Sequence, residues 1–325
     1  MLLSLLLPGC SFVAERAGAP RDPADSTELV VEVPAGATAR SMAPILEEAG
    51  VIDDAGDFVL WVRLTKEGGC IKAGRHKVRP DMDAAAIVAS LCAAPLASDV
   101  PFTVVEGWRI REIDAALAQA GLAEAGAYSL AVSTPSAYTA SFPLPTDTLE
   151  GYLFPETYMV DPTRFTVEGF VQRQLDLFGE RFASKHSEEE LAGRGLHPLV
   201  IMASMLEREE PKPEQRPMVA GILWKRLDNN WNLGVDATSR YTLEQWNDRK
   251  AFLKLLRDPN DIYNTRLRGG LPPTPIGNPS TSSLEAALAP TDSPYWYYLH
   301  DAQQNLHPAT DVAGHEANRR KYNVY

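Results

Sequence analysis

Residues 199–213 read LVIMASMLEREEPKP. Seven of the first eight residues are apolar or alanine. Three glutamates and an arginine then fall within four positions, and Pro211 closes the run. A helix that is apolar on nearly every face belongs inside a domain, so this stretch predicts a helix-centred core for the second half of the chain. Glu207 is its first charge, and its neighbours one and two turns back are Ala203, Ser204 and Val200, on a face committed to packing. Pro211 disfavours helical geometry in Glu210, so Glu207 sits near the negative end of the helix dipole. Burial, that dipole and the adjacent Glu209 and Glu210 are together expected to help Glu207 retain its proton. A carboxylic acid in that state suits proton donation to a glycosidic oxygen. The alternative is a solvated helix end, and Arg208 and Glu210 are read as ordinary surface charges of that kind.

Working outward, strand and helix patterns alternate. LVVEV from Leu29 is a strand that ends at Pro34-Ala-Gly, followed by the helical spacing of ATARSMAPILEEAG. DFVLWVRL reads as a second helix, AGRHKV as a short strand and DAAAIVASLCA as a third helix. PFTVVEG and WRIREIDAALAQAG repeat the opening strand–turn–helix order. After the Pro- and Ser-rich stretch STPSAYTASFPLPTDT come LEGYLFPETYMV and the helix of FTVEGFVQRQLDLFGERFA. The helix of the opening stretch, the helix QRPMVAGILWKRLDNN, the helix SSLEAALAP, the aromatic strand YWYYLH and a last helix through HEANRRKY complete the chain. The fold class is therefore α+β: a small α/β module followed by a mixed, mainly helical domain with a short sheet. The segments are 1–27 (leader and polar tether), 28–98, 99–148 (a second strand–helix unit and linker) and 149–325.

The 325 residues carry a net charge of −12, which argues against nucleic acid as a partner and against electrostatic adhesion to anionic lipid. Cys70 and Cys92 read as two small core residues, with pairing in an oxidising compartment as the alternative. The apolar run in MLLSLLLPGCSF is far shorter than the roughly 20 residues that span a bilayer, and no basic residue precedes it. It reads as the remnant of a membrane anchor, ahead of the alternative that LPGC is a lipoprotein box with Cys10 lipidated. Either way the protein reads as exported.

Two further stretches could carry chemistry. LEGYLFPETY at 149–158 joins Glu150 to the aromatic residues Tyr152, Phe154 and Tyr158, suited either to sugar faces or to a buried turn. YNTRLRGGLPPTPIGNPSTSSLEAAL at 263–288 holds a Gly- and Pro-rich loop whose path is fixed by its prolines. Its Asn264, Thr265 and Asn278 are uncharged groups able to read hydroxyls and acetamides, and Ser282 or Ser283 is placed as the cap of the following helix. There is no phosphate-binding glycine loop, no HExxH or paired CxxC metal motif and no GxSxG elbow. No metal or cofactor is expected.

These motifs, taken in order, resemble the endolytic murein transglycosylases of the MltG/YceG-like family. The resemblance rests on VVEGWRIREIDAALA at 104–118, EGYLFPETY at 150–158, IMASMLERE at 201–209 and RPMVAGILWKRL at 216–227. It continues through GVDATSRYTL at 234–243, the loop at 263–288 and HEANRRKY at 315–322. It implies a LysM-like module at 28–98 and a catalytic domain at 149–325. The chain would be held at the inner membrane by an N-terminal anchor, single-pass or lipid, with its catalytic part in the periplasm. The implied substrate is the glycan strand of peptidoglycan, and peptidoglycan synthases of the elongation machinery are implied partners. The family's catalytic glutamate falls on Glu207. Its supporting positions fall on Glu209, Asp236, Tyr241, Asn264 and Asn278; Thr265, Glu150 and Tyr152 join them as candidates for substrate binding. The stretch Leu-Gly-Val-Asp-Ala-Thr at 233–238 departs from the family's usual Leu-Gln-Ser/Thr-Asp-Pro-Thr. The resemblance implies cleavage by Glu207 as acid and then base, with a 1,6-anhydro product. The alternatives are a lysozyme-like hydrolase using Glu207 and Asp236, and a non-catalytic peptidoglycan-binding scaffold.

Overall fold

The computed structural model describes residues 16–96 and 99–324. The anchor and lipoprotein readings, which fall on residues 1–12 and Cys10, lie outside the described residues. The chain divides into two compact units, Met1–Val100 and Pro101–Tyr325.

In the first unit the order is β1 (Leu29–Val33), α1 (Ala39–Glu48), α2 (Ala55–Thr65), β2 (Gly74–Val78) and α3 (Ala84–Cys92). β1 and β2 pair antiparallel, with Leu29 opposite Val78 and Val33 opposite Gly74. Side chains alternate across a strand, which turns Val31 and Val33 inward onto Met42, Leu46, Phe58, Ile87 and Leu91. Each helix begins on a side chain that accepts a backbone N–H of its first turn, from Thr38, Asp54 and Asp83 in order. His76 is buried, and its two ring nitrogens lie 2.9 Å from the carbonyl oxygens of Ser90 and Lys72, which places it in the core. Cys70 and Cys92 are joined in a disulfide, which corrects the reading of two independent core thiols. The turn after α2 returns the chain to the last turn of α3, and that brings their Cα atoms to 5.0 Å.

The second unit opens with β3 (Val100–Thr103), α4 (Ile110–Gln119) and α5 (Ala127–Ala131). It continues through β4 (Thr157–Val160), α6 (Val167–Arg181), α7 (Glu188–Ala192), α8 (Leu196–Glu209) and α9 (Arg216–Asp228). α10 (Asp236–Arg240), α11 (Arg249–Leu255), α12 (Thr281–Leu288) and α13 (Val312–Tyr322) complete it. β3 pairs with β4. Val104 donates to the Glu156 carbonyl at 2.9 Å, and the hydroxyls of Thr103 and Thr157 meet at 2.9 Å. The 99–148 stretch therefore supplies one strand of a sheet whose other strand comes from beyond residue 149. Its Phe102, Val104, Ile113 and Leu117 share one core with Phe170, Phe178 and Met205.

The strand expected at YWYYLH is reduced to isolated bridges, Tyr297 to Ala309 and His300 to Leu306. Asp301 accepts the backbone N–H groups of Gln303 and Asn305 and forces a tight turn there. Pro294 precedes the pairing and Pro308 lies within it, between Leu306 and Ala309, and neither can donate to a ladder.

α8 is the axis of this unit. Every residue from Leu199 to Leu206 is buried, as its all-round apolar sequence requires. α12 packs along it, with α9 against both. It stops at Glu210, whose φ of −120° and ψ of 103° are extended, the geometry demanded of a residue before proline.

Candidate active site

The stop of α8 delivers Glu207 into a cradle of donors. Arg216, the first residue of α9, donates from Nη2 to Oε1 at 2.9 Å and from Nη1 to Oε2 at 3.4 Å. Ser280, the cap of α12, donates its backbone N–H to Oε2 at 2.8 Å and its hydroxyl at 2.6 Å. The side chains of Glu207 and Arg216 are 6% and 5% exposed, so this is a buried ion pair. Arg216 is itself fixed by the Glu210 carbonyl at 3.0 Å and by the hydroxyls of Ser280 and Ser282 at 2.9 and 2.5 Å. Every partner of Glu207 donates, which is the surrounding of a carboxylate. Glu209 and Glu210 point elsewhere, and a guanidinium takes their place.

A backbone zip holds the cradle. Gly107 donates to the Asn278 carbonyl at 2.7 Å, and Asn278 donates back to the Trp108 carbonyl at 2.8 Å. A Cβ at Gly107 would lie 3.4 Å from Cγ of Glu207, so the turn passes against the carboxylate's stem. The Asn278 side chain adds four bonds. Its oxygen accepts Gly151 N–H at 2.9 Å and Leu153 N–H at 3.0 Å, and its nitrogen donates to the Trp108 carbonyl at 2.9 Å and to Glu150 at 3.2 Å. Ser204, one turn before Glu207, accepts the N–H of Ile276 at 2.9 Å and docks the loop onto α8. Glu106 stands exposed beside this turn; partial burial and the charge of Glu207 push its carboxyl upward.

The sequence model of the YceG-like family matches residues 31–321. The chain belongs to the YceG-like family. It is 25% identical to the endolytic murein transglycosylase of Bacillus subtilis (strain 168), over 98% of this chain and 91% of that one. It is 23% identical to the endolytic murein transglycosylase of Streptococcus pneumoniae (strain D39), over 92% of this chain but only 59% of that longer protein. Among solved structures it is similar to a YceG-like protein of Listeria monocytogenes. That match has 25% identity and a TM-score of 0.56, covering 90% of this chain and 99% of that one.

Within this YceG-like chain, the candidates picked from sequence separate into two groups. Glu150, Tyr152, Asn264, Thr265 and Asn278 are each at most 3% exposed and bonded internally. Their polar groups are taken up by partners within the protein, and of the five only Asn278 and Glu150 belong to the network that holds the cradle. Glu150 takes the N–H of Ile110 and the hydroxyl of Tyr241, each at 3.2 Å, and burial pushes its carboxyl up to about 8. The Tyr152 hydroxyl meets His197 Nδ1 at 2.9 Å. Asn264 donates to the Leu255 carbonyl at 2.9 Å, and Thr265 accepts the Val235 N–H at 3.0 Å. Ser280, ahead of Ser282 and Ser283, is the cap residue of α12.

Glu209 and Asp236 form the second group, on another face. Both border a cavity of about 910 Å³. Burial and the charge of Asp236 push the Glu209 carboxyl upward, and Tyr298 donates to it at 3.2 Å. Asp236 accepts from Arg266 at 2.5 Å. Glu210 and Arg208 are not the surface charges expected. Glu210 is fully buried and meets His300 Nε2 at 2.8 Å. Arg208 lies 4.0 Å over the Trp246 ring, with its Nε buried and unpartnered.

Sequence reasoning missed Arg216, Ser280 and Glu106. One signal was available for Arg216: a cation in the first turn of a helix opposes the dipole, so it needs an anion nearby.

Proposed function

We propose that this chain is an endolytic peptidoglycan lytic transglycosylase. It would cut the β-1,4 bond from N-acetylmuramic acid to N-acetylglucosamine in nascent glycan strands and leave 1,6-anhydro ends. What supports the reading is the similarity of the chain to named murein transglycosylases over most of its length, with the donor-cradled Glu207 as the candidate for the proton transfers.

In the proposed reaction Glu207 donates a proton to the glycosidic oxygen as the C1–O bond breaks. It then takes the proton of the muramic 6-hydroxyl, whose oxygen bonds to C1. No water is consumed, so the two-carboxylate arrangement of a hydrolase is not required. The first step uses a proton on Glu207 and the second returns one to it, so the cycle closes with no net proton consumed. Glu106 holds its proton to higher pH than an ordinary glutamate, in part because of the charge of Glu207. Arg216 and Ser280 keep the carboxylate aimed through both steps.

The βααβ order of the first unit supports a LysM-like, glycan-holding role for it. The Cys70–Cys92 disulfide supports an extracytoplasmic location. Among the described residues no helix is long and apolar enough to cross a membrane, and attachment through residues 1–27 at the inner membrane is proposed with the rest. Contact with peptidoglycan synthases belongs to the same proposal.

A second reading has one specific observation behind it. Glu209 and Asp236 face one cavity and interact, as an acid and its partner would in a hydrolase. One experiment decides between the two. The purified chain and its Glu207→Gln and Glu209→Gln variants are incubated with sacculi, and the muropeptides are weighed. Anhydro ends lost only with Glu207→Gln support the transglycosylase. Reducing muramic ends lost with Glu209→Gln would overturn it.

A further inference from the structure

The exposed face of α11 carries charge that no acid among the described residues neutralises. At about 100° per residue, Arg249, Lys250, Leu253, Lys254 and Arg257 fall within an arc of about 140°. The last of them lies on the turn that continues the helix. All five are exposed and line one open groove of about 630 Å³. The opposite face is anchored. Phe252 is buried with the Arg240 guanidinium 3.8 Å over its ring, and the Leu255 carbonyl accepts the Asn264 side chain at 2.9 Å.

None of the four cations is in an ion pair among the described residues. The carboxylates at either end of the segment are turned to the backbone. Asp248 accepts the N–H of Ala251 and Asp258 that of Asn260, each at 2.9 Å. With a net charge of −12 on the chain, this basic face is a local exception. Charges farther off than about 8 Å are screened at physiological salt, so the patch acts on whatever lies against it.

That partner must be anionic, and it must also accept apolar groups. Leu253 is 47% exposed within the basic arc. Ile262 and Leu267, on the loop that Asn264 ties to α11, are 54% and 51% exposed. A soluble polyanion would pair with the cations and leave these apolar side chains in water. A membrane surface serves both, with phosphate headgroups for the lysines and arginines and an acyl boundary just beneath for the apolar side chains. The long Lys and Arg stems suit the same boundary.

We propose that α11 and the loop 258–268 form a docking surface for a bilayer of anionic phospholipid. This contact belongs to the second unit, is separate from attachment through residues 1–27, and does not depend on the reaction proposed above. It sets how far from the bilayer the second unit works.

The test is sedimentation of the full chain with vesicles of phosphatidylcholine alone and of phosphatidylcholine mixed two to one with phosphatidylglycerol. Every protein compared keeps residues 1–27, so differences between variants read the second unit. Wild type prefers the anionic vesicles by about ten-fold or more at 0.1 M salt, and by less than about two-fold at 0.5 M. Arg249→Gln, Lys250→Gln, Lys254→Gln and Arg257→Gln together abolish the preference. Leu253→Ser, which keeps every charge, lowers partitioning onto the anionic vesicles about three-fold. Cleavage of soluble glycan strands is the same in all three proteins, so failure of docking and failure of the reaction are read apart. Equal partitioning of wild type and the four-fold glutamine variant onto anionic vesicles overturns the surface. Unchanged partitioning of Leu253→Ser overturns it in favour of a soluble polyanion. Salt-sensitive self-association without vesicles, lost in the glutamine variant, overturns it in favour of a second copy of the chain.

Discussion

Replacing Glu207 by glutamine tests the cradle and the chemistry together, and the two effects can be separated. The carboxylate accepts from Arg216 at 2.9 and 3.4 Å and from Ser280 at 2.8 and 2.6 Å. Glutamine fills the same volume but turns one acceptor into a donor, which must then face a guanidinium N–H or the Ser280 donors. Hydrogen bonds to a charged group are each worth about 1.5–3 kcal/mol. Removing one partner of a buried ion pair costs about 3–5 kcal/mol. Arg216 keeps its bonds to Ser280, Ser282 and the Glu210 carbonyl, so the loss falls toward the lower end, about 3 kcal/mol. With a urea slope of about 3 kcal/mol/M, the unfolding midpoint of the second unit falls by about 1 M. Tryptophan fluorescence reads that unit, because Trp61 alone among the six tryptophans lies in the first. Arg216→Met alone costs a similar amount. The double variant falls short of the sum by about 2 kcal/mol, since the second change removes a charge already orphaned by the first. Cleavage of sacculi is lost in all three proteins. A wild-type midpoint for Glu207→Gln, or strictly additive costs, would refute the buried pair. Normal anhydro product from Glu207→Gln would refute the catalytic role whatever the midpoint.

Three further outcomes follow from the packing. Glu150 carries a folded-state value of about 8 against 4.5 for the free group, so the folded chain binds the proton more tightly than the unfolded one. Its contribution is complete below pH 4.5 and lost as pH rises through 8, by up to about 5 kcal/mol. Glu150→Gln should flatten that decline in denaturant midpoints measured from pH 4.5 to 8. Reducing the Cys70–Cys92 bridge, or replacing both cysteines by serine, opens a loop with a sequence separation of 22 residues. It should lower the stability of the first unit by about 3 kcal/mol, read from Trp61 emission, with no change in the second unit's midpoint. Gly151 has φ of +90°, and a Cβ there would lie 2.6 Å from Pro275 and 2.7 Å from Val200. Gly151→Ala should cost about 3 kcal/mol from left-handed strain and overpacking, and a midpoint within experimental error of wild type would reject that packing.

Periodicity carried most of the fold because its signal is local. The helices of QRPMVAGILWKRLDNN and LVIMASMLERE, and the strands LVVEV and AGRHKV, follow from spacing and from the prolines and caps that bound them. The aromatic run YWYYLH has strand composition, yet its ladder is cut short by an aspartate-centred turn that composition does not reveal. The surroundings of the candidate residues were obscured in the sequence for a single physical reason. An asparagine that reads a sugar and one that satisfies buried backbone look identical in sequence, and Asn278 and Asn264 are of the second kind. Glu210 and Arg208 look like a solvated helix end because their partners, His300 and Trp246, are far away in the chain. Arg216 was overlooked for the same reason, since its anion comes from the helix before it.

The zip between Gly107–Trp108 and Asn278 has a consequence for how the site could be disabled. Two backbone hydrogen bonds and one amide side chain tie the turn carrying Glu106, the loop leading to Ser280 and the 150–153 turn into one latch. Anything that prises open this latch, whether a small molecule wedged at Gly277 or a bulkier residue at Gly107, would part the donors from Glu207 while leaving that glutamate untouched. Resistance to such an agent would then have to arise in the latch, where every atom is already spoken for.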